Sequence, residues 1–339
     1  MDENEISCIY YPTTVIVVDD NESVLENILL KVGKNIPCKI FSDPKEGLTY
    51  IKKTLEKADI LSDIIGINES SVDYSHESHR FPIQYDLKKI FEHASNKKRF
   101  QQISVLVIDY AMPGMNGDEL LRALKRAKGN PVKIIMLTGE IDEPMAVRLF
   151  NEGLIDRFLR KARPGVDEEL KNCIIEMQRR YFQDLTYPIV RGIISDKDSA
   201  LGDPVFREFF NKICQQVSAS SYYLIETSGS FIFFNNAGKP KWLLVKSLDE
   251  LKEISEQIEA DVPEDLIASI GKGEFIPYFG SLEKEIECYE DEKKLRKSLH
   301  KAEKLHGKKT YCYALLDELP GFPLETKNIT SFDEYMSSL

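Results

Sequence analysis

Five polar side chains in this 339-residue sequence stand at the ends of short strand-like runs. Asp19 and Asp20 follow Val15–Val18, Asp109 follows Val105–Ile108, Thr138 follows Lys133–Leu137 and Lys161 follows Arg157–Arg160. Clustered carboxylates repel one another unless a hard cation sits among them, and Mg2+ suits a few carboxylates together with phosphate and water. A carboxylate can also act as a nucleophile and carry an acyl phosphate. The charge added that way needs a fixed cation and a hydroxyl donor, the types that Lys161 and Thr138 supply. A single acid after a strand is more often a helix cap, and Asp20 alone would be read so. Five polar groups in order at four strand ends are not explained by capping.

The elements that would hold these groups are legible as periodicities. Val15–Val18 and Val105–Ile108 are continuous apolar, β-branched runs suited to strands buried on both faces. Cys38–Phe41, Lys133–Leu137 and Arg157–Arg160 give three more strands. Helical patterns fill the gaps: from an Asn21 or Ser23 cap through Leu29, Pro44 to about Lys52, Asp118–Lys128, Glu143–Glu152, and Asp167 to about Phe182. Strands alternating with helices give an α/β fold, a doubly wound parallel five-stranded sheet. Such sheets bind ligands beyond the carboxyl ends of their strands.

The segments VIVVDDNESVLENI, VLVIDYAMPGMNGDELL, IIMLTGE and RFLRKARPG resemble the receiver domains of two-component response regulators. The resemblance covers roughly residues 13–183, and Asp109–Gly117 is its most specific part. It implies a flavodoxin-like receiver fold with Asp109 as phosphoacceptor. Asp19, Asp20 and Asp109 would arrange Mg2+, with the backbone carbonyl of Ala111 as a further ligand. Thr138 would bond the phosphoryl oxygen, Lys161 would pair with it, and Phe158 would be the aromatic switch. A sensor histidine kinase or phosphotransfer protein would be the phosphodonor, and a phosphorylation-dependent homodimer the switched state. Two features depart from the family pattern. Ala162 and Arg163 separate Lys161 from Pro164, where the family has proline directly after lysine. An insertion at about 57–100, polar from Asn68 to Arg80 and helical from Leu87 to Lys98, lengthens the middle of the domain.

Domain expectations follow: an N-terminal extension over 1–12, the receiver with its insertion over 13–183, a linker over 184–199 and an α+β output domain over 200–339. In the last, strands are expected at Tyr222–Glu226, Ser230–Phe234, Trp242–Lys246, Glu274–Tyr278 and Thr310–Leu316. Helices are expected at Pro204–Val217, Leu248–Ala260, Glu264–Ile270 and Leu282–Leu305. Tyr222, Tyr223, Phe231, Phe233, Phe234 and Trp242 are core residues or, as a less favoured alternative, the lining of a small-molecule pocket. Lys293, Lys294, Arg296, Lys297, Lys301, Lys304, Lys308 and Lys309 read as a solvated face before they read as a nucleic-acid contact. His76 and His79 read as loop residues, not metal ligands.

A net charge of -11 without a basic block disfavours nucleic acid as a partner without excluding it. Six scattered cysteines read as reduced thiols. The acidic start lacks the features of a signal peptide, and no apolar run approaches the ~20 residues that span a bilayer. A cytoplasmic protein is expected. The whole arrangement resembles the quorum-sensing response regulators of Legionella, which implies a role in population-density signalling. The output would bind a protein or small molecule; the alternatives are a receiver-gated nucleotide-binding or enzymatic domain and, more weakly, a DNA-binding regulator.

Overall fold

The computed structural model describes residues 5–55, 65–67, 83–124, 131–139, 143–161, 163–195, 197–258, 262–279, 282–319 and 329–339. His76, His79 and the polar piece Asn68–Arg80 lie outside them. The chain divides into two compact units. One comprises Tyr10–Ile60, Asn96–Thr186 and Glu334–Leu339, the other Met1–Ile9, Leu61–Ser95 and Tyr187–Asp333.

In the first unit, β1 (Thr14–Val18), α1 (Glu22–Lys31), β2 (Cys38–Phe41) and α2 (Pro44–Leu55) are followed by β3 (Ile103–Ile108) and α3 (Gly117–Ala123). Then come β4 (Lys133–Thr138), α4 (Glu143–Asn151), β5 (Arg157–Arg160) and α5 (Val166–Ile194), whose residues from Tyr187 on belong to the second unit. The five strands form one sheet in the order β2-β1-β3-β4-β5, every neighbour parallel. Every residue of β1, β3 and β4 is buried. That is why these strands read as unbroken apolar runs rather than as alternation. One face carries Val15, Val17, Val105, Val107, Ile135 and Leu137, packed on Leu25 and Ile28 of α1 and Leu170, Ile174 and Met177 of α5. α5 does not stop near Phe182, and the segment expected as a linker from 184 is helical to Ile194. Pro188 sits inside it, and Thr186 donates a hydroxyl hydrogen bond to the Phe182 carbonyl, 2.8 Å.

The second unit has a six-stranded sheet in the order Ile9–Tyr10, Ala219–Glu226, Ser230–Asn235, Pro240–Ser247, Thr310–Leu316, Glu303–His306. One face, with Leu224, Phe231, Phe233, Leu243 and Val245, packs on Phe206, Phe210 and Ile213 of helix Pro204–Gln216. Successive strand residues point to opposite faces, so Tyr223 and Trp242 face the other way. There the helix Leu87–Ser95 meets them: Phe91 stacks edge-on against Trp242 at 6.0 Å, and His93 Nδ1 lies 3.1 Å from the Tyr223 hydroxyl. The inserted segment was expected as an excursion of the receiver. By its packing on Trp242 and Tyr223, the helix Leu87–Ser95 is instead part of the second unit.

The pocket reading of the output aromatics gives way to the core reading: Tyr223, Phe231, Phe233, Phe234 and Trp242 are fully buried against one another and their neighbours. The single charged helix expected over Leu282–Leu305 is two helices, Leu282–Glu290 and Glu292–Ser298, followed by strands Leu299–Lys301 and Glu303–His306. Asp291 breaks it by accepting the Lys293 and Lys294 amides as a fresh helix cap. Beyond Ser298 the chain pairs with Phe275–Pro277 instead of continuing the turn. Among the described residues no helix is long and apolar enough to cross a membrane.

Candidate phosphoryl site

The ends of β1, β2 and β3 are laced together past their last strand residues. The Asp19 amide donates to the Phe41 carbonyl at 3.1 Å, and the Asp109 amide to the Val18 carbonyl at 2.9 Å. The ladder between β4 and β5 is extended in the same way by the Lys161 amide on the Thr138 carbonyl, 3.1 Å. Strand pairing therefore sets Asp19, Asp109, Thr138 and Lys161 at one sheet edge. Asn21 caps α1, its side chain accepting from the Ser23 and Val24 amides, while its own amide donates to Asp19 Oδ1 at 3.0 Å. Asp20 is not the cap, and it is exposed.

The Lys161 ammonium lies 2.7 Å from Asp19 Oδ2 and 3.0 Å from Asp109 Oδ1. Asp19 is 1% and Asp109 5% exposed. Carboxylate oxygens of Asp19, Asp20 and Asp109 lie within 4.8 Å of one another. Burial raises the Asp109 carboxyl above its ordinary range, and the Asp19 charge adds to this while Lys161 opposes it. For Lys161, burial pulls the ammonium down, but the hydrogen bonds and charges of Asp19 and Asp109 outweigh it and the net shift is upward. Beyond the ion pair, Asp109 Oδ1 is buried without a hydrogen-bond donor. An all-oxygen carboxylate set, with Asp109 Oδ1 held by the Lys161 ammonium alone, fits a hard divalent cation.

Thr138 is 1% exposed at the end of β4. Ala111 lies two residues beyond Asp109 in the loop leading to α3. Phe158 is half-buried on β5, paired in register with Met136. It lines a groove of about 600 Å3 with Ala146, Val147, Arg160, Arg163 and Glu169, so it faces α4 rather than the carboxylates.

Two features were not read from the sequence. Gly117 donates its amide to the Tyr110 carbonyl at 2.8 Å, and a Cβ there would lie 2.5 Å from the Asp109 carbonyl oxygen and 3.1 Å from Tyr110 Cα. The obstacle is backbone, which cannot rotate away. Gly117→Ala is expected to cost about 1–3 kcal/mol and to slow phosphoryl acceptance by displacing Asp109. Urea melts and a labelling time course would check both, and a variant matching the parent in both would refute the steric reading. The second is an ion network: Asp118 meets Arg122 at 2.7 Å and Arg148 at 3.5 Å, and Glu152 meets Arg122 at 2.5 Å and Arg148 at 3.7 Å. It ties α3, which begins where the Asp109 loop ends, to α4. The i,i+4 spacing of each pair within a helix was visible in the sequence; the cross pairs were not.

Residues 85–172 match the family model described as the response regulator receiver domain. Among solved structures the chain is similar to the Legionella pneumophila response regulator LqsR, at 28% identity and a TM-score of 0.76, over 98% of this chain and 96% of that one. It is 41% identical over 69 residues to the transcriptional regulatory protein FixJ of Bradyrhizobium diazoefficiens, covering 20% of this chain and 32% of FixJ. To the two-component response regulator ARR5 of Arabidopsis thaliana it is 25% identical over 87 residues, covering 25% of this chain and 47% of ARR5. The chain thus spans less than half the length of either curated relative. The parallel sheet, the acidic cluster with its lysine and the family match agree: the chain carries a response regulator receiver domain.

Proposed function

We propose that the protein is a two-component response regulator in which Asp109 accepts a phosphoryl group from a phosphohistidine of a sensor kinase or phosphotransfer protein. The observation that carries this reading is the Lys161 ammonium bridging Asp19 and Asp109 beside Asp20. A carboxylate oxygen of Asp109 attacks phosphorus, the new P–O bond forms as the P–N bond breaks, and the departing imidazole nitrogen takes up a proton. Lys161 and the Thr138 hydroxyl serve the phosphoryl oxygens once they arrive. Asp19, Asp20 and Asp109, with the Ala111 carbonyl, would hold Mg2+, which when bound supplies positive charge to those oxygens. The donor's docking face is the groove lined by Asn27 and Ile28 of α1, Asp167 and Leu170 of α5 and Lys161, beside exposed Leu30.

The switched state is a homodimer through the α4 side, where Val147 and Phe150 are more than half exposed above the Phe158 groove. The second unit then acts as the output, and its solid aromatic core favours a partner-binding role over an enclosed ligand pocket. Population-density signalling is the setting implied by the resemblance of the sequence to the quorum-sensing response regulators of Legionella. The test combines intact mass with light scattering, with and without acetyl phosphate and Mg2+. The parent is expected to gain one phosphoryl group and to double in particle mass, Asp109→Asn to do neither, and Phe150→Glu to be phosphorylated without dimerising. Labelling of Asp109→Asn would remove the phosphoacceptor assignment, and an unchanged particle mass would remove the dimer.

A further inference from the structure

We propose that the sheet face under helix Leu87–Ser95 is a docking surface for an amphipathic helix of a partner protein, closed in this structure by the chain's own helix. The proposal rests on the second unit being the output. The opposite face of the sheet is covered by the thirteen residues of helix Pro204–Gln216, with Phe206, Phe210 and Ile213 buried. The cover over Trp242 and Tyr223 is slighter. Helix Leu87–Ser95 has nine residues, fewer than the roughly 12 that an isolated helix needs in water. Only Ile90 and Ala94 among the nine are fully buried, while Leu87, Phe91, His93 and Ser95 are half-buried.

The fit beneath that helix is incomplete. The Tyr223 hydroxyl is matched by His93 Nδ1 at 3.1 Å. Trp242 is fully buried and meets Phe91 edge-on at 6.0 Å, yet its indole N–H has no acceptor among the described residues. A buried donor left unmet weakens whatever arrangement buries it. A competing helix that repeats the apolar anchors at Ile90 and Ala94 and adds a side-chain carbonyl recovers that loss, on the order of tenfold in affinity. The carbonyl belongs in the stripe Leu87–Phe91–Ser95, whose four-residue spacing keeps it on the side that meets Trp242. Tyr and Trp, each a large apolar body with one polar tip, are the residues that anchor protein interfaces, so the occupant is a protein helix. A second copy would bring the same Leu87–Ser95 and leave the indole unmet again, so it gains nothing over closure within one chain.

The full-length chain titrated with a fluorescein-labelled peptide copying Gln84–Lys98 gives the test. In the parent the chain's own helix competes at an effective concentration on the order of millimolar, so the peptide should bind weakly. Ile90→Asp puts a charge at a fully buried position and should open the face, tightening peptide binding by about tenfold or more. Phe91→Ala, a milder opening, should fall between the two. A peptide that itself carries Ile90→Asp should bind none of these chains. Among peptides carrying Leu87→Gln, Phe91→Gln or Ser95→Gln, at least one should bind about tenfold tighter than the plain copy. Equal peptide binding by the parent and both variants overturns the docking face. So does loss of the cooperative urea transition in both variants, which would make the helix integral core. Failure of every glutamine peptide to exceed the plain copy overturns the carbonyl-bearing partner. An unphosphorylated parent that is dimeric, and whose mass falls when peptide is added, gives the face to a second copy and overturns the partner helix. Acetyl phosphate labelling of the same samples is read separately: its absence from the parent strikes the response-regulator reading while the peptide result stands.

Discussion

Residues 200–339 expressed alone are expected to give no cooperatively folded domain. The sequence marks this stretch as a domain of its own, but its core is completed from elsewhere in the chain. Ile6 and Cys8 are buried in the same cluster as Leu224, Phe231 and Leu243, and the Leu224 amide bonds the Cys8 carbonyl at 2.7 Å. Val190 and Ile193 of α5 join that cluster. On the opposite face, helix Leu87–Ser95 supplies Phe91 to Trp242 and His93 to Tyr223, with Ile90 fully buried. Burial of a large aliphatic side chain stabilises by roughly 1.5–3 kcal/mol, so Ile6, Ile90, Val190 and Ile193 together represent about 6–12 kcal/mol. That equals the whole stability of a typical domain, about 5–15 kcal/mol. Trp242 is the chain's one tryptophan and is fully buried, which makes it a direct reporter. The fragment should show red-shifted emission and no sigmoidal urea transition, against blue-shifted emission and a sharp transition in the full chain. Phe91→Ala in the full chain should shift the emission to the red and leave labelling of Asp109 intact. A fragment with a sharp transition and native emission would show that residues 200–339 suffice.

The contrast between what could and could not be read in the sequence follows from which interactions are local. β1, β3 and β4 were legible because strands buried on both faces leave continuous runs such as Val15–Val18 and Val105–Ile108. Strand Thr310–Leu316 was found with its observed bounds for a similar reason, since most of its residues are apolar and its neighbours are turn-formers. The helix within the insertion was also legible. Its apolar positions Leu87, Ile90, Phe91 and Ala94 say that one face is buried, but not on which sheet. Sequence proximity to the receiver suggested the wrong one. The end of α5 was missed because Pro188 reads locally as a stop, whereas packing of Val190 and Ile193 carries the helix past it. At the candidate site, Asp19, Asp109, Thr138 and Lys161 were readable because parallel strands place their carboxyl ends together whatever the loops do. Gly117 was not, because its role is a clash between backbone atoms that only the closed loop brings together.

Lys161→Met should destabilise the receiver unit by about 3–5 kcal/mol, a deficit that Mg2+ reverses. Removing one partner of a buried charge set costs more than the set is worth as a whole, because the remaining charges stay buried. Here two remain: Asp19 and Asp109 are almost inaccessible, and the ammonium at 2.7 and 3.0 Å is what offsets them. Lys161 itself is 21% exposed, so water screens part of the loss and the lower end of the range applies at high salt. The pH dependence has a defined sign. Burial already raises the Asp109 carboxyl, and losing Lys161 raises it further above its unfolded-state value. Such a group destabilises the fold while it is charged in both states, and the penalty fades as pH falls through the raised pKa. The deficit should therefore be largest near neutrality and shrink toward acid pH. A divalent cation held among Asp19, Asp20 and Asp109, as proposed above, would substitute for the missing ammonium, so Mg2+ should raise the melting temperature of Lys161→Met more than that of the parent. Phosphoryl acceptance should still be impaired at saturating Mg2+, because stability is restored while the cation that serves the phosphoryl oxygens is not. Equal stability of the two proteins without Mg2+, at neutral pH, would mean that Lys161 is not what holds the two buried carboxylates together.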